Sequence, residues 1–288
     1  MFPQVDIVRW RVVAPWADDD DVEQDLVITL ALFDIFGDAT LASALAFRGG
    51  TALHKLHLPP AVRYSEDIDL VQREPGPIGP TLSRLRRVLE WIGPARSDTG
   101  EHPRVTFRFE TETGAHRRVK VEINSHEHFG HVVPRLFAVP TLAVGNSAAV
   151  PTYSLDELLA TKLRALYQRR KGRDLFDLWW ANEQADPDPP RIVALLGEYQ
   201  AAAGRPMIRA SELRANLAAK RVPSFLEEVR PLLRPGVAYD AAAALDWVEE
   251  IFIPLLPDHR PRRVLSRTNR YRRGDSSRPD QCLESRHR

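Results

Sequence analysis

Two aspartates separated by one residue form the clearest chemistry-bearing pattern in the sequence. Asp67 and Asp69 alternate with the apolar residues Ile68 and Leu70, and alternate side chains of a β-strand share one face. Two carboxylates on one face repel each other unless a cation neutralises them, and aspartate is a poor strand former. Such oxygen ligands suit Mg²⁺, which completes its shell with waters and substrate phosphates. The pattern therefore favours a metal-binding strand over a solvated acidic strand edge.

A third carboxylate for this site is expected from a second alternating segment. Residues 118–123 alternate in the same way, which places Glu122 on their polar face. If this strand lies beside the strand of Asp67, Glu122 completes a three-acid metal site. Glu110 and Glu112, on or just after the preceding strand, are the alternatives to Glu122.

A pair of glycines precedes a helix-like segment. Gly49 and Gly50 follow Arg48 and lead into Thr51. A turn at such a pair directs backbone N–H groups outward at the positive end of a helix, where they can bind a phosphate. Taken alone, the pair is explained equally well by an ordinary turn before a helix.

A lysine lies on the apolar stripe of a predicted helix. Leu155, Leu159 and Leu166 define this stripe, and Lys162 shares it by helical spacing. Burying an ammonium group is costly without an anionic partner, although a lysine can also extend past the core to solvent. A triphosphate or an acid of the site would supply the partner.

Two aspartates lie near the start of the next predicted helix. Asp174 complements the positive end of the helix dipole. Asp177 lies deeper in the helix, between two apolar residues. It is suited to hold Lys162 in position, to receive a proton, or to pair with Arg173 four residues earlier.

The elements that must position these residues change character along the chain. Alternation predicts strands at 64–71, 105–110 and 118–123, and helices are predicted at 51–56, before the first strand, and at 82–92, after it. Beyond residue 150 the pattern is helical, at 154–170, 173–183, 192–203, 211–220, 224–233 and 239–256. We predict an α+β (mixed α/β) fold in which a domain at 1–150 with a mixed sheet precedes an α-helical domain at 151–257.

Composition places the chain among globular proteins. It has 288 residues, of which 43% are hydrophobic and 27% charged, with a net charge of +1. Residues 258–288 contain ten arginines and four acids, a net charge of +6, so residues 1–257 carry −5. This basic tail is expected to be disordered. A single cysteine, Cys282, and the lack of a signal peptide or membrane-length apolar stretch predict a soluble cytoplasmic protein that does not associate with membranes.

Considered together, the motifs resemble the AbiEii-type (MenT-like) nucleotidyltransferase toxins of the DNA polymerase β-like nucleotidyltransferase superfamily. Four segments in the family's order carry the resemblance: 47–53, 63–70, 159–166 and 173–178. The resemblance covers about residues 40 to 185. Sixteen residues separate the glycine pair from Asp67, more than in the polymerase-like motif.

The resemblance implies an NTP-dependent nucleotidyltransferase toxin with a cognate antitoxin and an RNA acceptor, most simply a tRNA 3′ end. Mg²⁺ is the implied metal, with Mn²⁺ as the alternative, and the 1–150 segment would be the nucleotidyltransferase domain. Ser65 matches a serine that some antitoxins of the family phosphorylate. The implied catalytic residues are Asp67, Asp69, Lys162 and Asp177. Asp67 and Asp69 would also bind the metal, with Glu122 expected as the third ligand, and the nucleotide would be bound by Gly49, Gly50, Thr51, Ser65 and Lys162.

The mechanism expected from these assignments is metal-assisted nucleotidyl transfer. Asp69 or Glu122 would take the proton of the acceptor hydroxyl, and Lys162 would neutralise charge on the triphosphate as pyrophosphate leaves. Alternative acceptors are a small hydroxylated molecule and a protein side chain. From a different class, the chain could be a non-catalytic RNA-binding module, or its helical half could serve only to dock an antitoxin.

Overall fold

A seven-stranded mixed β-sheet organises the computed structural model, which describes residues 1–139 and 147–258. Its strands are β1 (Leu45–Arg48), β2 (Asp67–Gln72), β3 (Ala95–Asp98), β4 (Arg104–Glu110), β5 (His116–Asn124), β6 (Val132–Ala138) and β7 (Ser147–Tyr153). Their order across the sheet is β3-β4-β5-β2-β1-β7-β6. β2 runs parallel to β5 and β1 parallel to β7, whereas the other neighbours are antiparallel.

The apolar face of the sheet lies in the first of two large cores. Buried residues such as Leu70 of β2 and Val121 of β5 cluster there with those of the first-half helices. These helices are α1 (Gln4–Trp10), α2 (Asp19–Gly37), α3 (Ala39–Ala44), α4 (Gly49–Ala52) and α5 (Gly79–Val88), with a turn of π-helix at Leu53–His57 after α4. The polar residues of β2 and β5 are therefore left on the opposite face, as alternation predicts.

The second core is formed mainly by the helical half, together with a few residues of the sheet such as Ala46 and Val71. Its helices are α6 (Leu155–Gln168), α7 (Gly172–Gln184), α8 (Pro189–Ala202), α9 (Ala210–Ala218), α10 (Pro223–Leu226) and α11 (Ala241–Phe252). The side chain of Ser154 accepts the N–H of Glu157 and caps α6, as the sequence predicts. Ser154 is also the only residue between β7 and α6, so the sheet continues directly into the helical half. No helix among the described residues is long and apolar enough to cross a membrane.

The predicted mixed α/β fold with a helical second half is confirmed, and the differences have local causes. The strand predicted from residue 64 begins at Asp67, because Tyr64 donates its backbone N–H to Leu232 O instead. The helix predicted at 224–233 is broken into α10 and a 3₁₀ turn at Arg230–Leu232, where Pro231 lacks a backbone donor.

Strands β1, β3, β6 and β7 were absent from the prediction. The division at residue 150 stays a prediction, since Met1–Asp258 forms one compact unit. The basic tail lies outside the described residues from His259 onward.

Candidate active site

Asp69 lies at the centre of three adjacent strands. In the register of the sheet it is paired with Arg48 of β1 on one side and with Glu122 of β5 on the other. One step earlier on the same face, Asp67 is paired with Lys120. The strand carrying Glu122 thus lies beside the strand of the two aspartates, which is the arrangement that its prediction as a third carboxylate requires.

The two alternative acids lie far from this point. Glu110 is paired with His116, whereas Arg104, six residues earlier on β4, is paired with Glu122. Six residues of a strand span about 20 Å. Glu112 follows the end of β4, and its backbone N–H donates to Glu23 at the edge of α2. Neither acid lies near Asp69.

Lys120 bridges two of the acids. Its Nζ lies 3.2 Å from Asp67 Oδ2 and 3.1 Å from Glu122 Oε1. Burial raises the pKa of Asp67, the positive charge of Lys120 opposes that rise, and the negative charge of Glu122 adds to it. The ammonium group of Lys120 therefore lies between two of the predicted site acids.

The carboxylate of Asp69 has no ion pair among the described residues. Burial raises its pKa, Arg48 opposes the rise, and the neighbouring charge of Asp67 adds to it. No three described His, Cys, Asp or Glu side chains converge as a complete metal site. Mg²⁺ is nevertheless often held by one or two carboxylates together with substrate phosphates. Asp67 and Asp69 fit that requirement, and a third ligand from Glu122 stays a prediction.

The glycine pair allows two side chains to approach the backbone closely. Gly49 has φ +82°, and a Cβ built on it would overlap Asp69 Oδ2. A Cβ on Gly50 would overlap the guanidinium group of Arg63. Gly49 begins α4, so the predicted turn into a helix is present. Both glycines are needed because larger residues would displace a charged side chain.

Thr51 and Ser65 connect the start of α4 to β2. Thr51 is buried, and its Oγ1 lies 2.7 Å from both Ser65 Oγ and the backbone oxygen of Asp67. These contacts fix the position of the first strand residue that carries an acid. Neither hydroxyl group lines the cavity beside Asp69.

A cavity of about 470 Å³ opens between the sheet and α6. Its volume is within the range of small-molecule sites. Four of the predicted site residues line it, namely Gly49, Asp69, Glu122 and Lys162. Four arginines share the lining, namely Arg48, Arg104, Arg164 and Arg169. The cavity therefore combines two acids of the sheet with five cations, of which Arg48 and Arg104 lie beside the acids and the other three come from α6 and its C-terminal end. Such a concentration of positive charge favours an anionic ligand.

Lys162 is buried in the wall of this cavity and is paired with acids. Only 7% of the residue is exposed, and its Nζ lies 2.7 Å from Asp177 Oδ2 and 3.2 Å from Asp174 Oδ1. Extension of the lysine to solvent is therefore excluded. The anionic partner that its position predicts is supplied by the protein itself.

Asp177 is fully buried and holds three cationic or polar groups. Besides Lys162, it accepts hydrogen bonds from Arg63 Nε and Nη2 at 2.9 and 3.0 Å, and His54 Nε2 lies 2.9 Å away. Burial alone would raise its pKa, but Arg63 and Lys162 lower that pKa well below its usual range. Arg173 is not among its partners. Asp177 does not line the cavity, and it contacts the cavity wall through Lys162.

A second acid joins two cavity arginines. Glu127 lies 2.7 Å from Arg48 Nη1 and 2.7 Å from Arg164 Nη1. Burial would raise the pKa of Glu127, but the two arginines lower it, so the acid is ionised. This bridge connects the end of β1 to α6 at the rim of the site. None of these three residues is among the site residues predicted from the sequence.

Comparisons with known proteins agree with this architecture. The family model described as nucleotidyl transferase AbiEii toxin, type IV TA system, matches residues 30–249. MenT4, a nucleotidyltransferase toxin from Mycobacterium tuberculosis H37Rv, shares the fold, with a TM-score of 0.60 and 20% identity over 88% of this chain and 90% of that chain. An antigenic nucleotidyltransferase-like protein from Paracoccidioides brasiliensis aligns less well, with a TM-score of 0.41 and 18% identity over 68% of this chain and 94% of its own. No curated protein matches the chain.

Proposed function

The chain belongs to the AbiEii family of nucleotidyl transferase toxins, and on that premise we propose that it transfers the nucleoside monophosphate of an NTP to an RNA hydroxyl group in a Mg²⁺-dependent reaction. The most direct acceptor is a tRNA 3′ end. Family membership makes the chain a nucleotidyltransferase and implies an NTP substrate and an antitoxin partner. The observation that supports the proposal is the position of Asp69, which shares one cavity with Lys162 and Arg48.

The metal would be held by the acids of β2. Asp67 and Asp69 would bind Mg²⁺, with Glu122 as the third ligand once Lys120 no longer pairs with it. When bound, such an ion neutralises phosphate charge and polarises the phosphoryl group. The raised pKa values of both aspartates are consistent with this role, because an added cation would stabilise their ionised forms.

The triphosphate would lie against the cationic wall of the cavity. Arg48 and Lys162 would neutralise its charge, and Lys162 would stabilise the charge that develops on the leaving pyrophosphate. Gly49 would border the phosphates directly. Gly50, Thr51 and Ser65 would act by keeping the adjacent strand and helix in place. They would thus support the phosphate site, whereas the sequence predicts that they line it.

Transfer itself needs an attacking oxygen and a proton acceptor. The acceptor hydroxyl oxygen would bond to the α-phosphorus while the bond to pyrophosphate breaks, and the hydroxyl proton would pass to Asp69 or Glu122. Asp177 would not contact substrate. Its complete burial makes it a positioning residue that fixes Lys162.

The proposal is tested by incubating the purified chain with Mg²⁺, each of the four α-labelled NTPs and total tRNA. Label should enter RNA, and Asp69→Asn should reduce the transfer rate by at least about 100-fold. Asp186→Asn is the matched control, because Asp186 is an exposed acid that lines neither this cavity nor its neighbour on the sheet. Asp67→Ala should behave like Asp69→Asn.

The outcomes separate the alternatives. Label that enters protein or a small hydroxylated molecule instead of RNA would show that the reaction is nucleotidyl transfer to a different acceptor. RNA binding without any Mg²⁺-dependent transfer would favour a binding module. Transfer by Asp67→Ala at the wild-type rate would overturn the assignment of the metal site.

A further inference from the structure

The polar face of the sheet continues beyond the acids as a basic surface. A cavity of about 640 Å³ lies on this face, next to the one that contains Asp69. Arg104 lines both cavities. The second cavity is lined by one acid, Asp98, and by five cationic residues: Arg96, Arg104, Arg108, Arg118 and Lys120.

The register of the strands orders these cations in rows. On β4 and β5, Arg104 is paired with Glu122, the next row on this face pairs Thr106 with Lys120, and the row after it pairs Arg108 with Arg118. Successive rows are about 7 Å apart. The Arg108 and Arg118 row therefore lies roughly 14 Å from the row that contains Glu122.

The first cations of this series are neutralised within the protein. Arg104 pairs with Asp98 at 3.0 Å, and Lys120 pairs with Asp67 and Glu122. In contrast, the guanidinium groups of Arg108 and Arg118 make no ion pair or hydrogen bond with another residue in the part of the chain that the structure describes. The surplus positive charge thus lies at the end of the series that is remote from Asp69 and Glu122, before the row that pairs Glu110 with His116.

Arg108 and Arg118 are exposed and directly opposite each other on antiparallel strands. Like charges in this relationship destabilise a sheet. An anion bound between the two guanidinium groups would remove that repulsion. Guanidinium groups also match the geometry of phosphate oxygens and donate bidentate hydrogen bonds to them.

We propose that Arg96, Arg108 and Arg118, the basic face, bind the phosphodiester backbone of the acceptor RNA upstream of its reacting end. This inference rests on the proposed function, because it requires the acceptor's terminal hydroxyl to lie at Asp69. The NTP would be bound by cations of the first cavity such as Lys162, which does not line the second cavity. A strand that ends at Asp69 and extends over β5 and β4 meets phosphate-binding arginines where its preceding nucleotides lie.

The experiment measures RNA binding rather than transfer. A 12-nucleotide single-stranded RNA is titrated with the full chain at several salt concentrations, without NTP. Arg108→Gln/Arg118→Gln should weaken binding roughly tenfold at low salt. The slope of log affinity against log salt should fall in magnitude by about 1.4, because each phosphate neutralised on a single strand contributes about 0.7.

The matched control is Arg86→Gln/Arg87→Gln, which removes two exposed arginines from α5 on the apolar side of the sheet. It should bind like the wild type. The thermal midpoint of Arg108→Gln/Arg118→Gln should be equal to or above that of the wild type, because the variant loses a repulsive pair. This measurement excludes unfolding as the cause of weaker binding.

An unchanged affinity and salt slope in Arg108→Gln/Arg118→Gln would overturn the inference. The same holds if poly-L-glutamate binds as tightly as the RNA and loses the same affinity in the variant, because the face would then suit an acidic protein equally. Failure of the proposed function is distinguishable. If the chain binds RNA through these arginines but transfers no label to it, RNA binding by the basic face would be supported and RNA would not be the acceptor.

Discussion

Asp177 Oδ2 lies 2.7 Å from Lys162 Nζ, and the same carboxylate also holds Arg63 and His54. Lys162 comes from the helical half, whereas Arg63 and His54 come from the half that contains the sheet. One buried acid therefore neutralises groups from both halves of the molecule. Removing this carboxylate should therefore lower the free energy of unfolding and also disturb the site.

Replacing Asp177 with Asn should strongly destabilise the protein. Arg63 and Lys162 would keep their buried charges with less compensation, and breaking a buried ion pair in this way costs about 3–5 kcal/mol. Urea denaturation of wild type and variant measures the difference in the free energy of unfolding. Asp186→Asn, at an exposed position, is the matched control. A loss for Asp177→Asn below about 1 kcal/mol would contradict the assignment of a buried anchor.

The same carboxylate predicts a pH dependence of stability. The folded pKa of Asp177 is lowered well below its usual range, chiefly by Arg63 and Lys162 against the effect of burial. Its contribution is therefore fully present above the unfolded aspartate pKa of about 3.9 and is lost as the pH falls towards the folded pKa. Urea titrations between pH 5 and pH 2.5 should show a steeper loss of stability in wild type than in Asp177→Asn. Parallel curves would argue against this linkage.

Replacing Gly49 with Ala should impair the site in a way that backbone strain alone does not. The new Cβ would displace the carboxylate of Asp69, in addition to the cost of about 1–2 kcal/mol for a non-glycine residue at φ +82°. Gly236→Ala is the control, because Gly236 has φ +87° and nothing within 4 Å of its Cβ position. Both variants should lose similar stability, and only Gly49→Ala should lose most of its transfer rate. Equal transfer rates in the two variants would show that Gly49 is not required to position Asp69.

Replacing Glu127 with Gln should weaken NTP binding more than turnover. The variant keeps the shape of the side chain but removes the charge that orients Arg48 and Arg164 at the rim of the cavity. We expect KM for NTP to rise roughly tenfold while kcat changes less than about threefold. Steady-state kinetics measure both values, with Glu90→Gln, at an exposed position, as the control. A fall in kcat at constant KM would instead place Glu127 in the chemical step.

Replacing Lys120 with Gln should strengthen Mg²⁺ binding in the absence of nucleotide. Lys120 competes with a metal ion for Asp67 and Glu122, and it is partly exposed, so its ion pairs contribute modestly. The Mg²⁺ concentration that gives half of the rise in Tm should fall about two- to fivefold. Lys171→Gln, which alters an exposed lysine distant in sequence, is the control. A higher Mg²⁺ requirement in Lys120→Gln would show that the lysine assists the metal instead of competing with it.

The parts of the site that the sequence predicted are those with a short-range signal. Alternation in β2 separates Asp67 and Asp69 from Ile68 and Leu70 whatever the partner strands are. Helical spacing likewise places Lys162 on the buried stripe, which requires an anion nearby. Aspartate is unusual in a strand and lysine is unusual on a buried helical stripe, and the predicted site explains why each is present.

The parts that could not be predicted depend on distant pairing. Arg63 and Asp177 are 114 residues apart, and Arg48 and Glu127 are 79 apart. Nothing near Glu127 in the chain distinguishes it from a surface acid. β1 is not predicted because a short apolar segment fits a strand or a buried helix equally well. Residues 41–47 form such a segment, and the structure divides them between α3 and β1.

The one-residue connection at Ser154 has a consequence for how the protein melts. Because β7 passes directly into α6, no flexible linker separates the two cores between these elements. Asp177 adds a buried electrostatic connection between them. Calorimetry should therefore record a single cooperative transition over residues 1–258, with equal van't Hoff and calorimetric enthalpies, instead of two separate ones. The sheet and the helices that form the site then fold and unfold together.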